Sequence, residues 1–218
     1  MNWEIWIPKL LKEFGVTLYM VGVSTALTIL LGLPLGIWLN LTSPKGLSPK
    51  PTLYKTLSVV INIGRSLPFI ILLVAILPLT RFIVGTTIGA TAAIPPLTLA
   101  AIPFFARVVE TALNEVDRGL LEAIQSMGGN LKHAIFKVLL PEAMPSLIAG
   151  VALTIISLIG YSAMAGAIGG GGLGDLAIRY GYQRSETLVM LITVILLVVV
   201  VQGIQSLGTN LARKASKR

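Results

Sequence analysis

The sequence predicts an all-α membrane protein that crosses the bilayer with five helices. Hydrophobic residues make up 55% of its 218 residues and charged residues only 12%, and the mean hydropathy is +0.87. A soluble domain carries about 25% charged residues, so a soluble fold of this size would lack the charge to cover its surface. Long uncharged stretches also alternate with short basic clusters, as in membrane helices and their connecting loops.

The uncharged stretches define the predicted helices in chain order. Four of them carry no charge and exceed the ~20 residues that a helix needs to cross the hydrocarbon core. The remaining stretch, from Thr56 to Thr80, is interrupted only by Arg65. The predicted spans cover residues 16–40, 57–79, 84–107, 144–167 and 187–211.

Proline and glycine residues indicate where these helices bend and pack. The spacings Gly32-x3-Gly36 and Gly85-x3-Gly89 fit close helix packing, although small residues are common in membrane helices in any case. Prolines inside predicted spans are expected to kink the helix where neighbouring groups satisfy the freed backbone. These prolines are Pro34, Pro68, Pro95, Pro96 and Pro103.

The distribution of lysine and arginine predicts the orientation. Five spans place the two termini on opposite sides of the membrane. With the carboxyl terminus in the cytoplasm, the inner segments hold eleven cations and the outer segments five, in agreement with the positive-inside rule. This orientation predicts a short extracytoplasmic segment over residues 1–13 and one transmembrane domain over 14–212. It also predicts a cytoplasmic loop at about 108–143 and a basic cytoplasmic tail over 213–218.

Several classes of function lack the residues that their chemistry requires. All nine acids lie outside the apolar runs, which removes the carboxylate relay of an ion-coupled carrier. There is no nucleotide-binding G-x4-GK[ST] loop, no cysteine and a single histidine. The basic clusters carry no interleaved aromatics, so nucleic acid is not an expected partner. We therefore expect no catalytic residue, metal or cofactor on this chain.

One short pattern points to an enzyme. Gly172-Leu173-Gly174-Asp175 matches the G-x-G-D pattern of intramembrane aspartyl proteases. Such a protease needs two facing carboxylates that share a proton. The second aspartate, Asp117, lies in a loop on the opposite side of the predicted membrane, which argues against this chemistry.

The loop between the third and fourth spans is amphipathic. Leu120, Leu121, Ile124 and Met127 recur at helical spacing. Residues Gly128 and Gly129 are expected to end this helix and Asn130 to cap the next one, and Pro141 and Pro145 to break the chain before the fourth span. A short helix with one apolar face requires a surface to cover it. That surface is a partner protein, the lipid headgroups or the protein's own helices.

The same loop carries a long motif. Glu122-Ala123-Ile124-x3-Gly128-x9-Val138-x-Leu140-Pro141 resembles the EAA loop (E-A-A-x3-G-x9-I-x-L-P) of bacterial ABC-importer permeases. Only Ile124 and Val138 depart from the pattern, and both changes are conservative. In that family the loop forms a coupling helix that docks into a cleft of a separate ATP-binding subunit. The resemblance assigns Glu122, Ala123 and Gly128 to that contact.

Longer segments are similar to the methionine-import permeases, and the resemblance runs from about residue 15 to 210. These segments are Asn62–Leu73, Pro78–Thr86, Lys137–Ala143, Gly160–Met164 and Gly169–Gly174. The resemblance implies a type I ABC-importer permease fold in the bacterial inner membrane, assembled as a homodimer. Two cytoplasmic ATPase subunits would hold ATP and magnesium, and an extracytoplasmic binding protein would deliver methionine. The alternatives are a permease of this class for another amino acid or small polar solute, and a passive facilitator.

Five residues are predicted to line the translocation path: Arg65, Pro68, Tyr161, Ser162 and Met164. The hydroxyl groups and the thioether would suit a zwitterion with an apolar tail, and the alternative for these side chains is helix packing. Arg65 either faces a polar cavity inside the bundle or lies before a later start of the second helix, at the membrane interface.

Overall fold

Helices account for almost all of the structure, a computed structural model that describes residues 3–216. The α-helices are α1 (Trp3–Thr42), α2 (Pro51–Ser66), α3 (Phe69–Ala75), α4 (Leu77–Val84), α5 (Ala90–Asn114), α6 (Arg118–Ser126), α7 (Leu131–His133), α8 (Leu140–Glu142), α9 (Met144–Ala165), α10 (Gly172–Leu176) and α11 (Thr187–Ser216). Three π-helical segments join them: π1 (Ala134–Leu139), π2 (Gly166–Gly170) and π3 (Ala177–Tyr182). The all-α prediction is confirmed for the part of the chain described.

Four helical stretches of the described chain are long and apolar enough to cross a membrane. They are Trp6–Thr42, Ala90–Asn114, Leu131–Gly170 and Thr187–Ser216. A fifth crossing exists if α2 and α3, which are separated by a sharp bend, form one broken span. The structure therefore agrees with a membrane protein of four or five spans.

The second predicted span, residues 57–79, is broken at Pro68, where a kink is expected, and its residues divide among α2, α3 and α4. α2 ends at Ser66, and the chain reaches α3 through Leu67 and Pro68. Proline lacks a backbone N–H, and its ring disfavours helical geometry in the residue before it. Pro68 itself adopts φ −58° and ψ 130°, which lies outside the helical region. The proline therefore interrupts this helix, whereas α1 continues through Pro34 and α5 through its three prolines.

Glycine geometry explains why the third span begins six residues later than predicted, at Ala90 instead of residue 84. Gly85 and Gly89 adopt φ of 82° and 99°, and a Cβ on either residue would meet open space. Gly85-x3-Gly89 thus forms left-handed turns and is not a packing motif. Gly32 and Gly36, in contrast, pack closely against α5, as their spacing predicts.

The loop boundaries also differ from the prediction of residues 108–143. α5 continues to Asn114, and the chain after Pro141 and Pro145 stays helical, so the predicted break at these prolines is wrong. In π1 the backbone N–H of Leu140 donates to Ile135, five residues earlier. Pro141 follows as the second residue of α8, and the helical stretch Leu131–Gly170 continues through it.

The two ends of the chain are more helical than predicted. α1 begins at Trp3, so most of the predicted segment 1–13 is continuous with the first span. α11 likewise includes residues 213–216 of the predicted tail. Residues 1, 2, 217 and 218 lie outside the described residues.

The chain divides into two compact units. Unit 1 contains Met1–Thr28, Leu67–Ala101 and Thr154–Gln205, and unit 2 contains Ile29–Ser66, Ile102–Leu153 and Ser206–Arg218. Met20, Leu97 and Leu158 belong to the apolar core of unit 1. Phe105 and Val109 belong to the main core of unit 2.

Candidate functional site

The EAA-like motif folds as a capped helix followed by a tight turn. The Asp117 carboxylate accepts a hydrogen bond from the Gly119 N–H at 2.8 Å and caps α6. Gly128 has φ 78°, and the Gly129 N–H donates to the Ile124 carbonyl at 2.9 Å, which closes the helix end. The Asn130 side chain then accepts from the His133 N–H at 3.0 Å. The predicted helix end and cap are confirmed.

The motif residues divide between surface and interior. The three residues that the resemblance assigns to a partner contact, Glu122, Ala123 and Gly128, are all exposed. Met127 is 80% exposed beside them. Ile124, Val138 and Leu140 are half-buried, and Pro141 is exposed.

α6 is tied to the rest of unit 2 through its other face. Leu121 packs against the cluster of Phe105, Val109 and Leu113, which also receives Leu140. Arg118 donates to the backbone carbonyl of Lys45 at 3.1 Å. A force applied to α6 would therefore reach α5 through packed side chains.

Three of the predicted path residues of unit 1 lie on α9, and Pro68 lies in the connection before α3. The Tyr161 ring on α9 stacks on Phe69, with centroids 4.7 Å apart and planes 11° from parallel. Pro68, which immediately precedes Phe69, is exposed. Ser162 is only 2% exposed, and its hydroxyl donates to the Ile159 carbonyl at 2.8 Å, whereas Met164 is 46% exposed. Path lining by these side chains stays a prediction.

Arg65 belongs to unit 2 and lies in the last turn of α2. α2 begins at Pro51, so the helix does not start after Arg65, and the position of Arg65 at the membrane interface stays a prediction. The side chain is exposed and lines a cavity of about 440 Å³, which Arg107, Glu115 and Ser146 also line. Its role in the path remains a prediction.

A buried ion pair in unit 2 was missed from the sequence. Glu110 is 3% exposed and lies on α5, a helix apolar enough to span a membrane. Glu110 lies beyond the apolar run of the third predicted span, but α5 extends past that run and includes this residue. Arg107 Nη1 contacts Glu110 Oε2 at 2.6 Å, and the Tyr54 hydroxyl donates to Glu110 Oε1 at 3.0 Å.

The same arginine also contacts α2. Arg107 Nη2 donates to Ser58 Oγ at 2.8 Å and to Asn62 Oδ1 at 2.9 Å. Tyr54, Ser58 and Asn62 recur every four residues and so share one face of α2. This polar spacing is the signal that sequence analysis contained and did not use.

A second missed contact holds the glycine-rich run in unit 1. The Glu13 carboxylate accepts from the Gly172 N–H at 2.7 Å, and Thr17 Oγ1 accepts from the Leu173 N–H at 2.9 Å. Gly169, Gly171 and Gly172 have φ between 77° and 94°, a region that favours glycine. The run is thus a break between helices that α1 caps.

The structure gives both aspartates of the protease pattern other roles. Asp175 forms an ion pair with Arg179, and Asp117 caps α6. Within residues 3–216, no three His, Cys, Asp or Glu side chains are grouped to hold a metal ion.

Lys9 and Tyr180 form the centre of a basic aromatic cluster in unit 1. The Lys9 ammonium lies 3.4 Å from the centroid of the Tyr180 ring, and the Trp6 ring meets Tyr180 edge-on. The hydrogen bond from Lys9 lowers the pKa of the Tyr180 hydroxyl. Burial opposes this effect, and the charges of Lys9, Arg179 and Arg184 add to it.

Comparison with known proteins identifies the family of this chain. The model of the binding-protein-dependent transport system inner membrane component matches residues 32–216. The chain belongs to this family. It is therefore a multi-pass protein of the inner membrane, and its resemblance to ABC-importer permeases is confirmed.

Two relatives are similar to this chain over most of their length. A probable D-methionine transport system permease protein MetI from Vibrio cholerae is 54% identical over 209 residues, 96% of this chain and 93% of the relative. The methionine import system permease protein MetP from Bacillus subtilis is 46% identical over 179 residues, 81% of each chain.

Solved structures give the same fold. A chain of the MetNI methionine ABC transporter in an inward-facing conformation matches with a TM-score of 0.95 at 45% identity, covering 99% of both chains. An amino acid ABC transporter with histidines matches with a TM-score of 0.79 at 20% identity, covering 98% of this chain and 97% of the other. At that identity the second likeness concerns the fold alone.

Proposed function

We propose that this chain is the permease subunit of an ATP-driven importer that takes up methionine with the help of a binding protein. The 54% identity to a probable D-methionine permease over 96% of the chain carries this proposal. The TM-score of 0.95 to a chain of the MetNI methionine ABC transporter supports it independently.

In the proposed assembly two copies of this chain form the translocation path, and two ATPase subunits bind ATP and magnesium on the cytoplasmic side. α6 is the coupling helix. Its capped ends and the exposure of Glu122, Ala123 and Gly128 support this role. An extracytoplasmic binding protein delivers the substrate to the opposite side.

Transport in this proposal is a conformational change and involves no covalent chemistry on the permease. ATP binding closes the ATPase pair and displaces α6. The cluster of Phe105, Val109 and Leu113 passes the displacement to α5. The aromatic pair of Phe69 and Tyr161 and the thioether of Met164 suit the apolar tail of methionine at the path.

Reconstitution tests the proposal. The chain is purified with its ATPase partner, placed in liposomes, and assayed for uptake of labelled methionine with binding protein and ATP supplied. We expect uptake to require ATP and to saturate with methionine. Uptake without ATP would establish a passive facilitator instead. ATP-dependent uptake of another labelled amino acid, without uptake of methionine, would assign a different substrate within the same class.

A further inference from the structure

The arrangement with the most unexplained polar contacts is the polar clamp of Tyr54, Ser58, Asn62, Arg107 and Glu110. It joins α2 to α5 within unit 2 by three contacts of 2.8 to 3.0 Å, and the ion pair of Arg107 with Glu110, at 2.6 Å, lies within α5 itself. All of them involve a charged group, which makes them stronger than hydrogen bonds between neutral groups. Asn62 opens one of the segments that carry the family resemblance, but neither that resemblance nor the proposed path assigns these five residues a role.

The burial of Glu110 makes the clamp a costly way to hold two helices. Glu110 is 3% exposed on a helix apolar enough to span a membrane, where a carboxylate is costly unless it is paired and hydrogen-bonded. Apolar side chains would pack these helices with equal or greater stability. Compared with apolar packing, the forked guanidinium of arginine holds its partners in one fixed register. A fixed register matters most where two helices must move together.

The contact extends beyond the polar groups. Gly64 lies so close to α5 that an added Cβ would be 2.8 Å from Pro103 Cγ. Ile61 on α2 packs in one cluster with Leu39 and Ala106. α2 is therefore fastened to α5 along most of its length.

The position of the clamp relative to α6 suggests its purpose. α5 ends at Asn114, and α6 begins at Arg118, so only a short turn separates the clamped helix from the EAA-like motif. The Asn40 side chain donates to Asn114 Oδ1 at 2.8 Å and fixes the end of α5 to α1 as well. Any displacement of α6 is thus delivered first to the end of the helix that carries Arg107 and Glu110.

We propose that Arg107 and Glu110 are positioning residues that make α2 move with α5 when a partner ATPase displaces α6. This role rests on the proposed function, because it needs a partner that moves α6. The clamp transmits motion and touches no substrate. Without it, ATP hydrolysis continues, but α2 no longer follows α5 and fewer solute molecules cross for each ATP hydrolysed.

The test weakens the clamp from the α2 side. Tyr54→Phe, Ser58→Ala and Asn62→Ala together remove all three partners on α2 and leave the ion pair of Arg107 with Glu110 intact. In liposomes containing the complete complex, we expect uptake per ATP hydrolysed to fall at least about fivefold, the lower end of typical allosteric coupling. Tyr54→Phe alone is expected to give a smaller fall.

Matched controls come from the same helix. Thr56 and Ser66 are exposed, and their hydroxyls bond only to backbone carbonyls of α2, at 3.1 and 2.8 Å. Thr56→Ala with Ser66→Ala should leave uptake per ATP at the wild-type value.

Arg107→Lys tests the geometry of the clamp from the α5 side. Lysine keeps the charge but loses the fork that reaches Glu110, Ser58 and Asn62 at once, so we expect this variant to uncouple as the triple variant does.

Three results would overturn the inference. A triple variant with the wild-type ratio shows that the clamp transmits nothing. Equal losses of uptake and ATP hydrolysis, with a lower unfolding temperature, show that it only stabilises the fold. A wild-type ratio of uptake to ATP hydrolysis in Arg107→Lys shows that only the positive charge matters. Absence of ATP-driven uptake in wild-type protein would overturn the proposed function itself, and the clamp's role with it, before any variant is made.

Discussion

Gly36 shows how a single hydrogen atom in place of a side chain sets the packing of α1 on α5. A Cβ at Gly36 would lie 2.5 Å from Val109 Cβ and 2.6 Å from the Ala106 carbonyl oxygen. The backbone oxygen cannot move away without shifting α5. We expect Gly36→Ala to lower the free energy of unfolding by roughly 1–3 kcal/mol, measured by denaturant unfolding in detergent.

Gly22 on the same helix is the matched control. A Cβ there would meet nothing within 4 Å, so alanine should be neutral or stabilise α1 by up to about 1 kcal/mol. Equal effects of the two substitutions would contradict the packing interpretation. The contrast also limits what spacing reveals: Gly32-x3-Gly36 and Gly85-x3-Gly89 are identical patterns, but only tertiary structure determines what lies opposite each glycine.

A second prediction at the scale of one residue concerns the charge of Lys9. Its hydrogen bond to Tyr180 lowers the pKa of that hydroxyl, so the folded protein loses the tyrosine proton at lower pH than an unfolded chain does. The resulting stabilisation is absent at neutral pH and appears as the pH rises above the folded pKa. We expect Lys9→Met to shift this pKa upward towards its ordinary value of 10.0.

Tyrosinate absorbance measures this shift. Subtracting the titration of a Tyr180→Phe variant isolates Tyr180 from the other tyrosines. Arg184 is the internal comparison, because its guanidinium lies farther from the ring, 4.7 Å against 3.4 Å for Lys9. Arg184→Met should therefore raise the pKa less than Lys9→Met does, and the opposite order would contradict the assignment of Lys9 as the main cause.

The turn after α6 is the element whose shape most depends on one backbone conformation. Gly128 has φ 78°, which β-branched residues rarely adopt, and open space surrounds the position of its missing Cβ. Gly128→Val should strain the turn by about 1–2 kcal/mol without a steric clash. In the proposed assembly we expect weaker binding of the ATPase subunit, measured by co-purification.

Gly128→Asn separates backbone strain from the loss of a small residue. Asparagine tolerates the left-handed conformation, so this variant should retain most of the ATPase subunit. Loss of the subunit in both variants would mean that the side chain itself blocks the contact. Retention in both would leave no role for the turn in docking.

Elements differed in how well the sequence predicted them. α6 and its caps followed from local rules, since Asn130 and Gly128 act on their own neighbours. The break at Pro68 was underestimated because the apolar run continues across it, and hydropathy does not distinguish a kinked helix from two helices. The helical path through Pro141 depended on π1, whose wider hydrogen-bond register has no clear sequence signal.

At the scale of the whole molecule, the sequence predicted the EAA-like motif but not the burial of Glu110. The motif could be recognised in the sequence because its residues lie within one segment of the chain and several of them form a surface. The burial of Glu110 was not predicted, because Arg107 lies on the same helix but Tyr54 comes from α2, 56 residues away. Composition established the membrane class, but the environment that makes a buried carboxylate tolerable depends on contacts with this distant part of the chain.

The orientation is a prediction about the whole molecule, and the absence of cysteine from all 218 residues makes it simple to test. Ser126 in α6 and Gln183 after π3 are both exposed, and the candidate span Leu131–Gly170 separates them. With the carboxyl terminus inside, a membrane-impermeant maleimide should label Gln183→Cys in right-side-out vesicles. Ser126→Cys should react only after permeabilisation.

The labelling pattern distinguishes orientation from topology. The reverse pattern would mean that the protein has the opposite orientation in the membrane. The EAA-like motif would then lie outside the cell, where a cytoplasmic ATPase cannot reach α6. Labelling of both cysteines from one side would mean that Leu131–Gly170 does not cross the membrane. The expected pattern instead places Glu122 and Gly128 inside and the cluster around Lys9 and Tyr180 outside, as the excess of inner lysine and arginine requires.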